Sequence, residues 1–305
     1  MARGLLGIED LPRDQIQAIL DRSKDFQRQQ DAPPARLDLL RGRMVVNLFF
    51  ESSTRTRTSF EIAAKRLGAD TVSISASGSS VSKGESLVDT LNTLGAMRPN
   101  GIVMRHSASG APHFLARYLP TIAIINAGDG THEHPTQALL DARTILDHRP
   151  SLENLKVAII GDIAHSRVAR SNMYLLSKFG ARVVLCGPPT LLPREFAELA
   201  PDVTLTYDMR EAIADADVIM MLRVQLERQN ETPFPASEYF QFYGLRLEHV
   251  SLAKPEVLVM HPGPINRGRE LSSDVADSQR SVILNQVENG VAVRMAVLEK
   301  VLNES

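Results

Sequence analysis

The chain has 305 residues, 43% hydrophobic and 23% charged, a composition that excludes a disordered, collagen-like or coiled-coil protein. The length exceeds one comfortable hydrophobic core and points to two domains of about 150 residues each. Thirty-four Lys and Arg against thirty-six Asp and Glu leave a formal net charge of −2, so the overall charge favours neither nucleic acid nor a membrane surface. A single cysteine makes no internal disulfide or Cys-rich zinc site, which fits a reducing, cytoplasmic setting. The opening residues, MARGLLGIEDLPRDQ, lack the apolar core of a secretory signal, and no apolar run is long enough for a membrane helix.

Taken in order, Pro12 stands where a first helix starts, and Ile16, Ile19 and Leu20 give it an apolar face. Pro33-Pro34 ends that stretch. Residues 44–50 read as a buried strand, 56–67 as a helix ended by Gly68, and 71–74 as a short strand. A Ser/Gly loop over 75–84 precedes a helix over 86–96, and 101–104 and 122–126 read as strands. Pro135 opens a helix to about residue 146, which His148-Arg149-Pro150-Ser151 breaks. The strand 156–162, the helix 168–178 and the strand 182–186 form one βαβ unit. A second strand–helix alternation ends at 217–221, and 257–260 is a further strand. The tail from about 279 to 302 is helical, with Val291, Met295, Leu298 and Leu302 on one face.

This βαβα order in both halves predicts an α/β fold of two open, mainly parallel, three-layer domains. Ligands in such sheets bind outside the carboxyl ends of the strands, so the informative residues are those that follow strands. The sharpest such segment is Ser53-Thr54-Arg55-Thr56-Arg57, directly after the first buried strand. Hydroxyls and a guanidinium at a helix N-terminus suit a dianion such as phosphate. Any one of these residues alone would be an ordinary helix cap; four consecutive donors favour the phosphate reading. His134-Pro135-Thr136-Gln137 follows the Gly128-Asp129-Gly130 turn, and in isolation His134 would read as a cap or a surface histidine. His261-Pro262-Gly263-Pro264 follows the strand 257–260 and makes a rigid turn that aims backbone groups at a ligand. No Walker loop is present, and Gly161-Asp162 lacks the spacing of a dinucleotide fingerprint.

These three elements, in this order and spacing, resemble the aspartate/ornithine carbamoyltransferase family over nearly the whole chain, from about Leu11 to the C-terminal helix. Within the family, three features favour aspartate over ornithine as acceptor. Val81-Ser82-Lys83-Gly84-Glu85 resembles the loop that carries a lysine into the neighbouring subunit's active site. Arg223-Val224-Gln225-Leu226-Glu227-Arg228 resembles the aspartate-binding R-V-Q-x-E-R motif. The proline turn lacks the cysteine typical of ornithine enzymes, and no S-M-G motif is present. Cationic Lys83, Arg167 and Arg223 suit a dicarboxylate, whereas a cationic acceptor would want an acidic pocket.

The resemblance implies the site residues. Ser53, Thr54, Arg55 and Thr56 hold the phosphate of carbamoyl phosphate; Thr56, Arg105 and His134 surround its carbonyl oxygen and are the catalytic set. Gln137 orients the carbamoyl amide, and backbone groups of Gly263 and Pro264 accept from it. Lys83, Arg167, Arg223 and Gln225 bind L-aspartate. Arg105 is expected just after the strand 102–104. Arg57, Arg66, Arg117, Arg143 and Arg170 keep the ordinary reading of surface ion pairs, and Cys186 that of a small core residue. No metal or other cofactor is implied. The carbamoyl phosphate domain is expected over 1–134 and the aspartate domain over 135–284, with the helix 285–305 packed back on the first. The active site is expected between domains and between subunits of a homotrimer. Enzymes of this kind with a zinc-bearing regulatory chain often read H-P-L-P where this chain has Gly263, which leaves open a regulatory chain or a pathway-enzyme partner. Rival readings are another amine acceptor, a non-catalytic anion-binding protein, and an RNA-binding protein. The completeness of the set Arg55, Lys83, Arg105, His134, Arg167 and Arg223 stands against the second. The near-neutral charge, without aromatic interleaving, stands against the third.

Overall fold

Short runs rich in Val, Ile, Leu and Met form strands buried on both faces, as parallel sheets require. The computed structural model describes residues 4–30, 37–75, 86–224 and 236–303. It divides into two units, Met1–Leu139 with Asn289–Ser305, and Leu140–Glu288. The first unit contains β1 (Gly4–Leu5), α1 (Arg13–Gln30), β2 (Met44–Phe49), α2 (Thr54–Arg66), β3 (Asp70–Ser75), α3 (Leu87–Ala96), β4 (Gly101–His106), α4 (Ala111–Tyr118) and β5 (Ala123–Asp129). The division falls inside α5 (Pro135–His148) and, near the C-terminus, inside α11 (Ile283–Asn303). Between them, the second unit contains β6 (Lys156–Ile160), α6 (Arg167–Lys178), β7 (Arg182–Cys186), β8 (Val203–Thr206), α7 (Met209–Ile213) and β9 (Val218–Met221). It continues with α8 (Ala236–Tyr243), α9 (Leu247–Val250), β10 (Leu258–Met260) and α10 (Ser273–Ala276).

Each unit holds a five-stranded sheet, in the orders β1-β5-β4-β2-β3 and β10-β9-β6-β7-β8, with every pairing parallel. The chain leaves β2 for β3 on one side and then returns to β4 on the other. It does the same around β6, going first to β7 and then, after β8, to β9. These reversals are the topological switch points, where adjacent loops part and leave a crevice at the carboxyl edge.

In the first unit, Val46, Leu48, Ile102, Met104 and Ile124 of the sheet pack with Leu91 and Leu94 of α3 and Leu115 of α4. On α1, Ile16, Ile19 and Leu20 are all buried, the apolar stripe expected of that helix. Arg22 of the same helix pairs with Glu299 of α11 through Nε and Oε2 at 2.6 Å. Arg294 donates to the Ser59 hydroxyl at 3.0 Å and lies 5.1 Å over the Phe60 ring, which anchors the end of α11 in this unit. In the second unit, Ile160, Ile219, Met221 and Val259 pack with Ile213, Tyr239 and Leu271. Gly161 leaves β6 at φ +140, and a Cβ there would approach Leu222 Cβ to 3.0 Å, so the crossing just past the switch point requires glycine.

Two boundaries differ from the sequence reading. The helix expected to begin at Thr56 begins at Thr54, because the Ser53 carbonyl already accepts from the Arg57 amide at 3.1 Å. Arg105, expected after its strand, lies inside β4, since parallel pairing with β2 extends to Phe49 opposite Arg105. The helix α4 went unread because its eight residues carry too short an apolar period. Replacing fully buried Ile159 with Ala should cost about 2–5 kcal/mol of unfolding free energy. Met97→Ala, at a side chain 71% exposed, should stay within about 0.5 kcal/mol in the same denaturant titration.

Candidate active site

Three adjacent strands of the first sheet lead to the candidate site residues. β2 ends in Ser53 and the first turn of α2, β4 carries Arg105, and β5 leads through a tight turn to His134. Ser53 is the N-cap of α2 by backbone geometry, yet its side chain makes no capping bond. The helix start therefore carries no side-chain cap from Ser53, and the Ser53 and Thr54 side chains stand beside its dipole end. Thr56 is buried at 7% exposure, and Arg55 is exposed.

Arg105 is held from two sides. Its Nε lies 3.3 Å from Oε2 of Glu51, and one terminal nitrogen donates to the Ala127 carbonyl at 3.2 Å. The Phe50 amide donates to the Arg105 carbonyl at 2.9 Å, so the residues entering the phosphate segment are fixed to the arginine's own backbone.

His134 and Gln137 are buried at 4% and 8% exposure, at the start of α5. The turn before them is tied down by carboxylates. Asp129, fully buried, accepts from the amides of Gly110 at 2.6 Å and Glu133 at 3.2 Å, and from the Asn126 side chain at 2.7 Å. Burial alone would raise the Asp129 carboxyl, but hydrogen bonds from His132, Gly110 and Asn126 outweigh it and hold the group below its ordinary value. The Glu133 carboxylate accepts the amides of Ile8 and Glu9 at 2.8–3.1 Å. The Thr136 hydroxyl is buried and finds no hydrogen-bond partner among the described residues.

In the second unit the expected residues also lie at the carboxyl edge. Arg167 opens α6 after β6 and is buried at 3% exposure. Arg223 follows β9, the strand next to β6. The turn His261–Pro264 follows β10, with a cis peptide between Gly263 and Pro264. The Gly263 amide donates to His261 Nδ1 at 2.8 Å, and the His261 amide donates to Gln286 Oε1 at 3.0 Å. Glu270 joins these segments: its carboxylate accepts from the amides of Val224 at 3.2 Å and Asn266 at 2.8 Å. Burial lifts the Glu270 carboxyl above its ordinary value, against the pull of those hydrogen bonds.

The structure thus gathers Ser53, Thr54, Arg55, Thr56, Arg105, His134 and Gln137 at one edge of the first sheet. It gathers Arg167, Arg223, Gly263 and Pro264 at one edge of the second. Lys83 and Gln225 lie outside the described residues. Sequence reasoning missed Glu51, Glu270 and Gln286. Glu51 and Glu270 carry no pattern that would single them out, whereas Gln286, a polar residue buried on the tail helix, was a legible anomaly.

Two family profiles match the chain. The aspartate/ornithine carbamoyltransferase carbamoyl-P binding domain covers residues 3–147, and the Asp/Orn binding domain covers 153–301. The chain belongs to the aspartate/ornithine carbamoyltransferase family. It is 79% identical over 302 residues to the aspartate carbamoyltransferase catalytic subunit of Solibacter usitatus, covering 99% of this chain and all of that one. It is 56% identical to the corresponding subunit of Geotalea daltonii, over 97% and 95% of the two chains. Aspartate transcarbamoylase of Trypanosoma cruzi, solved with carbamoyl phosphate and aspartate, superposes at TM-score 0.87 and 32% identity, over 98% of this chain and 96% of that one. An ornithine carbamoyltransferase of Pyrococcus furiosus does so at 0.86 and 32%, over 97% and 96%. Backbone shape therefore does not separate the two acceptor classes; side chains must.

The two helix starts after strands behave differently. The Ser166 hydroxyl accepts the Ala169 amide at 3.1 Å, a true cap, whereas that of Ser53 caps nothing. Ser166→Ala should cost about 1 kcal/mol in urea unfolding, and Ser53→Ala only a few tenths.

Proposed function

We propose that this chain transfers the carbamoyl group of carbamoyl phosphate to the α-amine of L-aspartate, giving N-carbamoyl-L-aspartate and phosphate, the carbamoylation step of pyrimidine synthesis. The observation that carries the reading is the alignment of Arg105 on β4 with the uncapped start of α2 after β2. It offers a guanidinium, hydroxyls and helix amides to one dianion. The near-identical length and 79% identity to an aspartate carbamoyltransferase catalytic subunit support aspartate as the acceptor.

Ser53, Thr54, Arg55 and Thr56 bind the phosphate. Thr56, Arg105 and His134 donate toward the carbonyl oxygen, where charge builds as the amine attacks the carbonyl carbon. The tetrahedral intermediate collapses by breaking the bond to the phosphate oxygen, and a proton lost by the amine ends on the departing phosphate. No side-chain nucleophile takes part. Gln137 and the backbone of Gly263 and Pro264 hold the carbamoyl amide. Arg167, Arg223, Gln225 and Lys83 bind the two carboxylates of aspartate. Placing two anions side by side requires this cationic set, and orientation supplies much of the rate. Lys83 acts from the neighbouring subunit of a homotrimer, in the cytoplasm.

Glu51 and Glu270 act as positioning carboxylates. The Glu51–Arg105 pair sets the guanidinium before substrate arrives, and Glu270 fixes the backbone between Arg223 and the proline turn.

The purified chain, given carbamoyl phosphate with L-aspartate or L-ornithine separately, should make N-carbamoyl-aspartate and no citrulline; citrulline would overturn the acceptor assignment. Arg167→Ala should raise the aspartate KM far more than that for carbamoyl phosphate. His134→Ala should lower kcat by about 10²–10³-fold if it donates to the developing oxyanion. Mixing inactive Lys83→Ala with inactive Arg105→Ala chains should restore part of the activity if Lys83 crosses between subunits; no recovery in a verified mixed trimer would refute the shared site.

A further inference from the structure

Beside the turn that leads to His134 lies a cluster that the proposed reaction does not use. His113 on α4, Asp129 at the end of β5 and His132 in the following turn bring one donor atom each within 4.8 Å of one another. We propose that His113, Asp129 and His132 form a binding site for a divalent transition-metal ion of the zinc, cobalt or nickel class. Two imidazoles and one carboxylate are the donor set such borderline ions select.

The geometry is already close to what an ion needs. His132 Nδ1 lies 3.1 Å from Asp129 Oδ2. With metal–ligand bonds of about 2.0–2.1 Å, that separation corresponds to a ligand–metal–ligand angle of about 100°, between octahedral and tetrahedral values. The His113 and His132 rings meet edge to face with centroids 5.5 Å apart. Two imidazoles on one tetrahedral ion place their centroids about 5 Å apart, so only a small inward shift is required.

Lone pairs are available. Asp129 Oδ1 accepts from Asn126 and the Glu133 amide, which fixes the carboxylate plane. Oδ2 accepts the Gly110 amide and faces His132, so an ion would replace the proton shared with His132. Asn126 and Gly110 then serve as the outer hydrogen bonds that orient a metal-bound carboxylate. The His113 Nδ1 is buried and has no hydrogen-bond partner among the described residues, a rare condition for an imidazole nitrogen. Glu9 and Glu133 also place carboxylate oxygens within 4.8 Å of the His132 donor and add negative charge around the position. An ion here would brace α4 against the turn that carries His134.

Zinc titration of chelator-stripped, tag-free protein against a chromophoric competitor should give one ion per chain. Cobalt should give the visible absorption of a low-symmetry nitrogen–oxygen site. His113→Asn and His132→Asn should each weaken zinc binding at least about tenfold, and His148→Asn, at an exposed position of α5, should leave it unchanged. Zinc should raise the melting temperature of the parent chain and of His148→Asn but not of the other two variants. Circular dichroism verifies that each variant is folded; His132 is 30% exposed, so its variant carries the test should His113→Asn fail to fold. Absence of stoichiometric zinc, or equal affinity in the parent and in folded His132→Asn, would overturn the site.

Discussion

Parallel pairing of β2 with β4, with Phe49 opposite Arg105, is the constraint on which the first half of the candidate site rests. A parallel sheet puts every strand's carboxyl end on one edge, and reversal of strand order at β2 opens that edge between two loops. The segment Ser53–Thr56 leaves from one side of the opening and Arg105 stands on the other. The second sheet repeats the device: Ile160 of β6 stands opposite Met221 of β9. Arg167 and Arg223 follow those two strands within a few residues. A one-residue slip of β4 against β2 would send Arg105 to the opposite face, because side chains alternate along a strand.

The near-neutral total charge conceals strong local charges. Several candidate site groups have a carboxylate nearby that holds their surroundings in place. Glu51 pairs with Arg105, Glu133 and Asp129 tie down the turn before His134, and Glu270 bridges the backbone beside Arg223 and the proline turn. Most of these carboxylates accept backbone amides rather than pairing with the candidate side chains. That choice matters energetically. A carboxylate satisfied by amides is stable in a buried place and fixes geometry, yet does not neutralise the guanidinium that an incoming dianion must find.

The fold was legible because its signals were local and redundant. Val45 to Phe49, broken only by Asn47, and Val157 to Ile160 are apolar runs too short for helices and are followed by polar turns, and the tail helix shows an apolar stripe at Val291, Met295, Leu298 and Leu302. Arg105 was displaced by one structural register because strand length is set by the partner strand, which no local window sees. The start of α2 was placed two residues late for a related reason: Thr54 and Arg55 look like ligand donors in sequence, and in three dimensions they form the first helical turn. Glu51 and Glu270 stayed silent because their partners lie 54 and 46 residues away in the chain, at Arg105 and Val224.

The two serines that precede helices show how the same local grammar serves two ends. Both Ser53 and Ser166 sit in extended backbone at an N-cap after a buried strand. The Ser166 hydroxyl satisfies its own helix, so that helix start needs nothing from outside, and the residue it presents is the side chain of Arg167. Ser53 leaves the start of α2 without a side-chain cap, which costs a little stability. An unsatisfied helix start is unfavourable in an isolated protein and favourable once a dianion docks there. A dianion docked at Ser53, as the proposed function requires, would return the stability withheld there and turn a strand–helix junction into a recognition site without any change in fold.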